Sequence, residues 1–142
     1  MRRAVLDASV LVAAACSPNR QSASRLVLRA VALRVVRPIV SAPVAAEYHR
    51  ALTNPKLRRW LKVTRPDRFA AALVSLAEVV VPVEVSAVKA DPSDDVYLGT
   101  ALAGGAGHVV TLDRQHLIPL DGFRGLRILT PGDFLGELRS TG

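Results

Sequence analysis

The chain has 142 residues, the size of one ordinary domain, and half of them are hydrophobic, enough to build a core without disulfides. Its single cysteine, Cys16, excludes an internal disulfide, and no spacing of cysteine and histidine fits a structural zinc site. Nineteen Lys and Arg against twelve Asp and Glu give a net charge of +7, which favours polyanions such as nucleic acid or an acidic protein partner. We therefore expect one domain over residues 1–142 in a reducing compartment, most simply the cytoplasm.

The N-terminal segment superficially resembles a secretion signal, because two arginines precede an apolar stretch that ends in small residues. Asp7 lies in the middle of that stretch, where a charge is costly for membrane insertion. We therefore interpret the segment as part of the fold. No apolar run approaches the length of a membrane-spanning helix, so we expect no membrane association.

Strands and helices are predicted in alternation along the chain, from β-branched runs and from apolar residues at helical spacing. In chain order the predicted elements are strand 4–6, helix 23–31, strand 35–40, helix 41–53, a short basic helix 56–62, helix 64–77, strand 79–85, helix 91–103, strand 109–111, strand 126–129 and helix 133–138. Pro38 either weakens the case for the second strand or places that strand at an edge of the sheet.

Helices between most of the strands predict an α/β fold, a three-layer α/β/α sandwich with a mostly parallel central sheet and right-handed crossovers. The aromatic share is only 4%, so the core must be built mainly from Val, Leu, Ala and Ile. Such a core is typical of a parallel sheet that helices cover on both faces.

Acidic residues follow the predicted strands at the ends where open α/β sheets bind their ligands. Asp7 ends the first strand, Asp113 follows strand 109–111, and Glu47 lies about one turn into the helix after the second strand. Asp94 and Asp95 begin a later helix, where Asp95 shares a face with apolar residues and is expected to point inward. Asp94 is expected to be the more exposed of the two.

Carboxylates gathered in a half-buried cleft repel one another, so they must take up protons or bind cations. Oxygen ligands without cysteine select hard ions, Mg²⁺ or Mn²⁺. Such ions activate water, orient a phosphodiester and neutralise charge on the leaving oxygen. The acidic residues therefore predict metal-assisted cleavage of a phosphodiester.

The motifs around these acids resemble, in order and spacing, those of PIN-domain ribonucleases. The segments are Val5-Leu6-Asp7-Ala8-Ser9-Val10-Leu11-Val12, Glu47, Asp91-Pro92-Ser93-Asp94-Asp95 with Leu98, and Val110-Thr111-Leu112-Asp113. The resemblance runs from Arg3 to about Leu138 and is strongest to the VapC-like toxins of bacterial toxin–antitoxin systems. The closing Ile128-Leu129-Thr130-Pro131 with Asp133-Phe134-Leu135 also fits that subgroup.

The resemblance implies a PIN-like fold and an endoribonuclease that depends on Mg²⁺ or Mn²⁺ and leaves 5′-phosphate and 3′-hydroxyl ends. It implies that metal binding and catalysis belong to Asp7, Glu47, Asp95 and Asp113, with Ser9, Thr111 and Asp94 in supporting positions. It further implies an RNA substrate, a homodimer and a small antitoxin protein that occupies the site.

Two other functions stay open. One is a non-catalytic PIN-like domain that binds RNA or protein, since Ser9 stands where the family usually has Asn or Thr. The other is a phosphatase of the haloacid dehalogenase type, which the same serine disfavours because those enzymes use Asp-x-Asp after the first strand. Taken singly, Asp7 can be a helix cap, and Asp94 and Asp95 can be acids that favour a helix N-terminus.

A basic segment surrounds the only tryptophan. We call it the basic arm, and its cations are Lys56, Arg58, Arg59, Lys62, Arg65 and Arg68 around Trp60. One interpretation is a surface for RNA phosphates or for the acidic tail of an antitoxin. The other is a solvated basic face with Trp60 packed underneath.

The three histidines share no metal-ligand spacing, and the sequence assigns them no chemistry. His116 lies three residues after Asp113, which puts it within reach of the predicted site.

Overall fold

A computed structural model of the protein describes residues 1–86 and 94–140. Over these residues the chain forms five strands and six α-helices. The strands are β1 (Arg2–Leu6), β2 (Val36–Val40), β3 (Glu78–Val79), β4 (His108–Val110) and β5 (Arg127–Leu129). The α-helices are α1 (Ala8–Cys16), α2 (Ala23–Ala32), α3 (Ala42–Leu52), α4 (Pro66–Ser75), α5 (Asp95–Ala103) and α6 (Pro131–Ser140), and shorter 3₁₀ helices span Pro55–Trp60, Ile118–Leu120 and Phe123–Gly125.

The strands form one parallel sheet in the order β3-β2-β1-β4-β5. Helices flank this sheet: α2 packs on β2 and α6, while α5 packs on β1, β2 and β4. The predicted α/β/α architecture with a parallel central sheet is confirmed. Over the described residues no helix combines the length and apolar character needed to cross a bilayer.

The sheet reverses its strand order between β1 and β4. From β1 the chain moves outward to β2 and β3, then returns to place β4 on the other side of β1, with Leu6 opposite Val110. The Asp7 N–H continues this pairing by donating to the Val110 carbonyl at 2.9 Å. Parallel sheets bind ligands beyond the carboxyl ends of the strands at such a reversal. The fold therefore brings the segments after β1 and β4 together at a binding position.

Helix α1 follows β1 directly and was not predicted. Its sequence, ASVLVAAAC, is apolar nearly throughout, because α1 packs against α2, α3 and α4. A helix that contacts protein on several sides has no polar stripe, so its sequence lacks the periodicity that reveals a surface helix.

Two predictions about the strands beyond β1 were wrong. The predicted strand 79–85 is confined to Glu78–Val79, which pairs only with Ile39 and Val40 of β2. Pro38 does not place β2 at an edge, since β2 lies between β1 and β3. The proline is tolerated there because β3 pairs with β2 only beyond it.

The core consists mainly of aliphatic residues, as predicted, but two tyrosines are fully buried beside Asp7. The Tyr48 hydroxyl donates to the Leu6 carbonyl at 2.5 Å, and the Tyr97 oxygen accepts the Ala8 N–H at 3.3 Å. A buried phenol needs such a partner. The two rings therefore fix the backbone on either side of Asp7.

Gly99 in α5 lies against the chain that follows β3. The Val83 N–H donates to the Gly99 carbonyl at 3.1 Å, and a β-carbon on Gly99 would collide with the Val83 carbonyl oxygen. We expect Gly99→Ala to lower the free energy of unfolding by about 1–3 kcal/mol, because backbone must move. Urea unfolding followed by circular dichroism measures the change.

Gly136→Ala in α6 is the matched control, since a β-carbon there meets no other atom. It should raise the free energy of unfolding by up to about 1 kcal/mol, because alanine favours the helix. Equal stability of the two variants would contradict the close approach of residue 83 to α5.

Candidate active site

Asp7 lies between β1 and α1 with its side chain almost fully buried. It occupies the N-cap position of α1, but its carboxylate makes no capping hydrogen bond. Two hydroxyls donate to the same oxygen, Oδ2: Ser9 Oγ at 2.8 Å and Thr111 Oγ1 at 2.6 Å. The interpretation of Asp7 as a simple helix cap is therefore wrong, and neither hydroxyl occupies Oδ1.

Each of these hydroxyls is held in turn by a backbone N–H. Ser9 Oγ accepts from Leu112 at 3.1 Å, and Thr111 Oγ1 accepts from Asp113 at 3.0 Å. A hydroxyl has one hydrogen, so an N–H on its oxygen leaves that hydrogen to point at Asp7. Ser9 and Thr111 thus join the end of β1 to the end of β4. Serine is long enough to make this contact, although the family that the sequence resembles usually has Asn or Thr at position 9.

Asp113, Asp94 and His116 bring their side chains together. One ligand atom of each lies within 4.8 Å of the other two, and among the described residues no other set of three Asp, Glu, His or Cys side chains does so. Asp113 Oδ1 accepts the N–H groups of Gln115 and His116, both at 3.0 Å. The other oxygen, Oδ2, lies 3.5 Å from His116 Nδ1. The three side chains are only partly buried, so solvent or a ligand can reach them.

Asp95 and Glu47 lie on helices around this group. Asp95 begins α5 and is 9% exposed, whereas Asp94 is more exposed, as the apolar face of the helix predicted. Glu47 forms an ion pair with Arg50 on α3. Burial raises the pKa of Tyr97 well above its usual range, and the negative charges of Asp7 and, to a smaller extent, Glu47 raise it further. The Tyr97 phenol is therefore a shared neighbour of these two carboxylates.

The structure thus connects the predicted residues in two groups. Hydrogen bonds join Asp7, Ser9 and Thr111, and short distances join Asp113 with Asp94 and His116. The Asp113 N–H on Thr111 links the two groups. For Asp95 and Glu47 the structure shows a position beside the groups but no shared ligand position.

Sequence reasoning assigned no chemistry to His116. The signal available for it was its spacing of three residues from Asp113, which places both side chains on the same side of a tight turn. Asp94 was given a supporting place, yet it is Asp94 whose carboxylate lies close to Asp113. Asp94 is a neighbour of Asp113 only because the first turn of α5 meets the loop after β4.

Carboxylate oxygens with one imidazole form a donor set that suits a divalent cation. Oxygen ligands favour Mg²⁺ and Mn²⁺, and an imidazole is compatible with Mn²⁺. The residues present therefore fit a hard divalent ion.

All six cations of the basic arm are exposed, and they surround an exposed aromatic ring. Trp60 is 58% exposed, and the Arg59 guanidinium lies 5.0 Å from its ring centroid. The interpretation with Trp60 packed underneath is therefore wrong. The Lys62 N–H donates to the Ala15 carbonyl at 2.8 Å, which ties the arm to the end of α1.

Comparison with known proteins agrees with this architecture. A family model described as PIN domain matches residues 3–115. The crystal structure of PAE2754 from Pyrobaculum aerophilum is similar, with a TM-score of 0.61 and 19% sequence identity, over 98% of this chain and 90% of that one. At that identity the likeness concerns the fold alone. No curated protein sequence matches the chain.

Thr111→Val should destabilise the protein because it keeps the side-chain shape and removes two hydrogen bonds. The buried Asp7 carboxylate loses a donor and the Asp113 N–H loses its acceptor. We expect the free energy of unfolding to fall by about 1–3 kcal/mol, measured by urea denaturation without divalent ions.

Thr53→Val is the matched control, because that exposed hydroxyl bonds only the His49 carbonyl at the end of α3. Its effect should stay within about 0.5 kcal/mol. Equal losses in both variants would show that the contact with Asp7 adds nothing to stability.

Proposed function

The chain belongs to the PIN-domain family, and on that premise we propose that it is an endoribonuclease dependent on Mg²⁺ or Mn²⁺. The observation that carries the proposal is the cation-compatible group Asp94, Asp113 and His116, hydrogen-bonded through Thr111 to the buried carboxylate of Asp7. This group lies where the strand order reverses, the position at which parallel sheets bind ligands. A net charge of +7 favours a polyanionic substrate.

The acidic residues would hold the metal. Asp7, Asp95 and Asp113 are the proposed ligands, directly or through water, with Asp94 and His116 beside them. Glu47 would join them by exchanging its partner Arg50 for the ion. Bound Mg²⁺ or Mn²⁺ supplies water activation and neutralises charge on the leaving oxygen of a phosphodiester.

The surrounding residues of the chain prepare the site. Ser9 and Thr111 hold Asp7 in one orientation before substrate arrives, so less ordering is needed on binding. The N–H groups of Gln115 and His116 fix Asp113 in the same way. Tyr48 and Tyr97 keep the backbone around Asp7 in place and exclude water beneath it.

We further propose that the enzyme is a VapC-like toxin, acting as a single PIN-like domain in the cytoplasm. The order of its motifs, including Ile128-Leu129-Thr130-Pro131, supports this assignment. It implies a homodimer and a small antitoxin that blocks the site. An acidic antitoxin segment would complement the basic arm. A short reading frame with an acidic tail beside the gene would support the toxin assignment.

A non-catalytic PIN-like binding domain is the competing function. Ser9, in place of the usual Asn or Thr, favoured a non-catalytic domain. In the structure, however, the Ser9 hydroxyl does donate to Asp7. Metal titration separates the two functions, because a binding domain should take up Mn²⁺ weakly and show no turnover.

Asp7→Asn should abolish RNA cleavage while leaving the fold intact, because the amide keeps the shape but loses the negative charge. We expect the rate with defined single-stranded RNAs in Mn²⁺ or Mg²⁺ to fall by about 10²–10³-fold. Excess EDTA should stop the wild type as well. Denaturing gels measure cleavage, and circular dichroism confirms the fold.

Asp121→Asn is the matched control. Asp121 is exposed in the loop before β5, where its Oδ1 accepts the Ile128 N–H and an asparagine oxygen can do the same. Its cleavage rate should equal that of the wild type. Full activity of Asp7→Asn, or of the wild type in EDTA, would overturn the metal mechanism.

Trp60→Ala should weaken the binding of single-stranded RNA to the basic arm. We propose that a base stacks on the exposed ring while Lys56, Arg58, Arg59, Lys62 and Arg65 contact phosphates. Loss of one stacked base costs about 1–3 kcal/mol of binding free energy, measured by fluorescence anisotropy in chelator.

Leu33→Ala removes an equally exposed apolar side chain outside the arm and serves as the control. Its RNA affinity should not change. Wild-type affinity of Trp60→Ala would exclude stacking on this ring, whatever the outcome of the cleavage assay.

A further inference from the structure

A pocket of about 420 Å³, lined by both polar and apolar residues, lies beside the candidate active site. It is bounded by the end of α1, the N-termini of α2 and α6, and the segment after β4. Its polar wall comprises Ser17, Ser22, Ser24, Arg114 and Thr130. Leu112 also lines it, and the Leu112 N–H donates to Ser9 Oγ, which donates to Asp7. The pocket and the acidic site therefore share a wall.

Two helices begin at this pocket. Helices α2 and α6 each have ten residues, and the residues Ala23, Ser24 and Gly132 of their first turns line the cavity. The first N–H groups of a helix have no partner within the helix and carry partial positive charge. The capping oxygens of Ser22 and Thr130 each accept one N–H, from Arg25 and Asp133. The rest of both first turns can attract an anion.

Ser24 is the observation that points to a ligand. Its side chain is buried, with the residue only 6% exposed, yet no described residue hydrogen-bonds to its hydroxyl. Its oxygen is not enclosed by protein, so the hydroxyl opens onto the cavity and can bind water or a ligand there. Ser24 lines the pocket, and its hydroxyl is available there.

Cationic side chains complete the pocket. Arg114 is exposed and forms no ion pair with the described part of the chain. Arg25 lies close as well, because its guanidinium donates to the Ser17 carbonyl at 3.2 Å. The opposing charge is Asp133 in the first turn of α6, which is exposed and therefore screened by water. Asp113 turns its carboxylate toward Gln115 and His116 instead.

We propose that this pocket binds a phosphate group of the RNA strand, next to the phosphodiester held at the acidic site. Two helix N-termini, the Ser24 hydroxyl and the Arg114 guanidinium lie around one cavity, which suits the several oxygens of a phosphate. The shared wall at Leu112 makes the neighbouring linkage of the same strand the occupant. The inference rests on the proposed RNA substrate, but it needs no bound metal.

The test measures binding separately from cleavage. Fluorescence anisotropy with labelled single-stranded RNA in EDTA, at several salt concentrations, compares the wild type with Arg114→Gln, Ser24→Ala and the control Arg124→Gln. Arg124 is exposed beside Phe123, in the loop before β5 and outside the lining of the pocket. For a single strand the slope of log affinity against log salt changes by about 0.7 for each phosphate contact. Arg114→Gln should lower the slope by that amount, Ser24→Ala should weaken binding, and Arg124→Gln should match the wild type.

An NMR titration identifies the source of the phosphate. RNA should shift the amide signals of Ser24 and Gly132, and these shifts should be lost in Arg114→Gln. Shifts with inorganic phosphate but none with RNA would overturn the proposal, as would a wild-type slope for Arg114→Gln. If no metal gives cleavage while Arg114→Gln still changes RNA binding, the nuclease assignment fails and the phosphate pocket stands. If cleavage occurs and Arg114→Gln binds RNA like the wild type, the reverse holds.

Discussion

The hydrogen bond from Thr111 to Asp7 is the contact on which the candidate active site depends. It joins the segments that follow two adjacent parallel strands, β1 and β4, at the point where the strand order reverses. Together with strand pairing and the Leu112–Ser9–Asp7 hydrogen bonds, it sets the distance between Asp7 and Asp113. Because the hydroxyl also accepts the Asp113 N–H, one side chain contacts both the Asp7 carboxylate and the backbone of Asp113. The spacing of β1 and β4 in the sheet therefore determines the spacing of Asp7 and Asp113 in the site.

The acidic side chains that form the candidate site also lower the stability of the folded protein. Acidic side chains close together repel each other, and burying Asp7 adds a desolvation cost. Hydroxyl and N–H donors offset part of this, and the first turn of α5 is a favourable place for Asp95. The remaining repulsion is what a cation relieves. Acidic side chains gathered in this way stabilise the fold less than apolar residues in the same place would.

The sequence was sufficient for the class of fold but not for every element. Strand runs alternating with helical stripes predicted the parallel sheet, because that alternation reflects burial on one side of each helix. It failed for α1, which neighbouring helices cover on several sides. It failed in the opposite sense at residues 79–85, where β-branched residues have the composition of a strand but β2 offers only Ile39 and Val40 as partners. Pairing is a property of the neighbour, which local composition does not contain.

In the candidate site, too, residues next to strands could be predicted from the sequence, whereas residues brought in by tertiary contacts could not. Asp7 and Asp113 follow strands, so strand prediction located them at the correct edge of the sheet. His116 is a local neighbour of Asp113, whereas Asp94 belongs to the site only because the first turn of α5 meets the loop after β4, a contact between residues distant in the chain. Ser24 and Arg114 lie about 90 positions apart in the sequence, and both line one pocket because α2 begins beside the end of β4. A sheet that reverses its strand order collects such residues at its centre, which is why a chain with ordinary local sequence can still place an acidic group and a cationic pocket side by side.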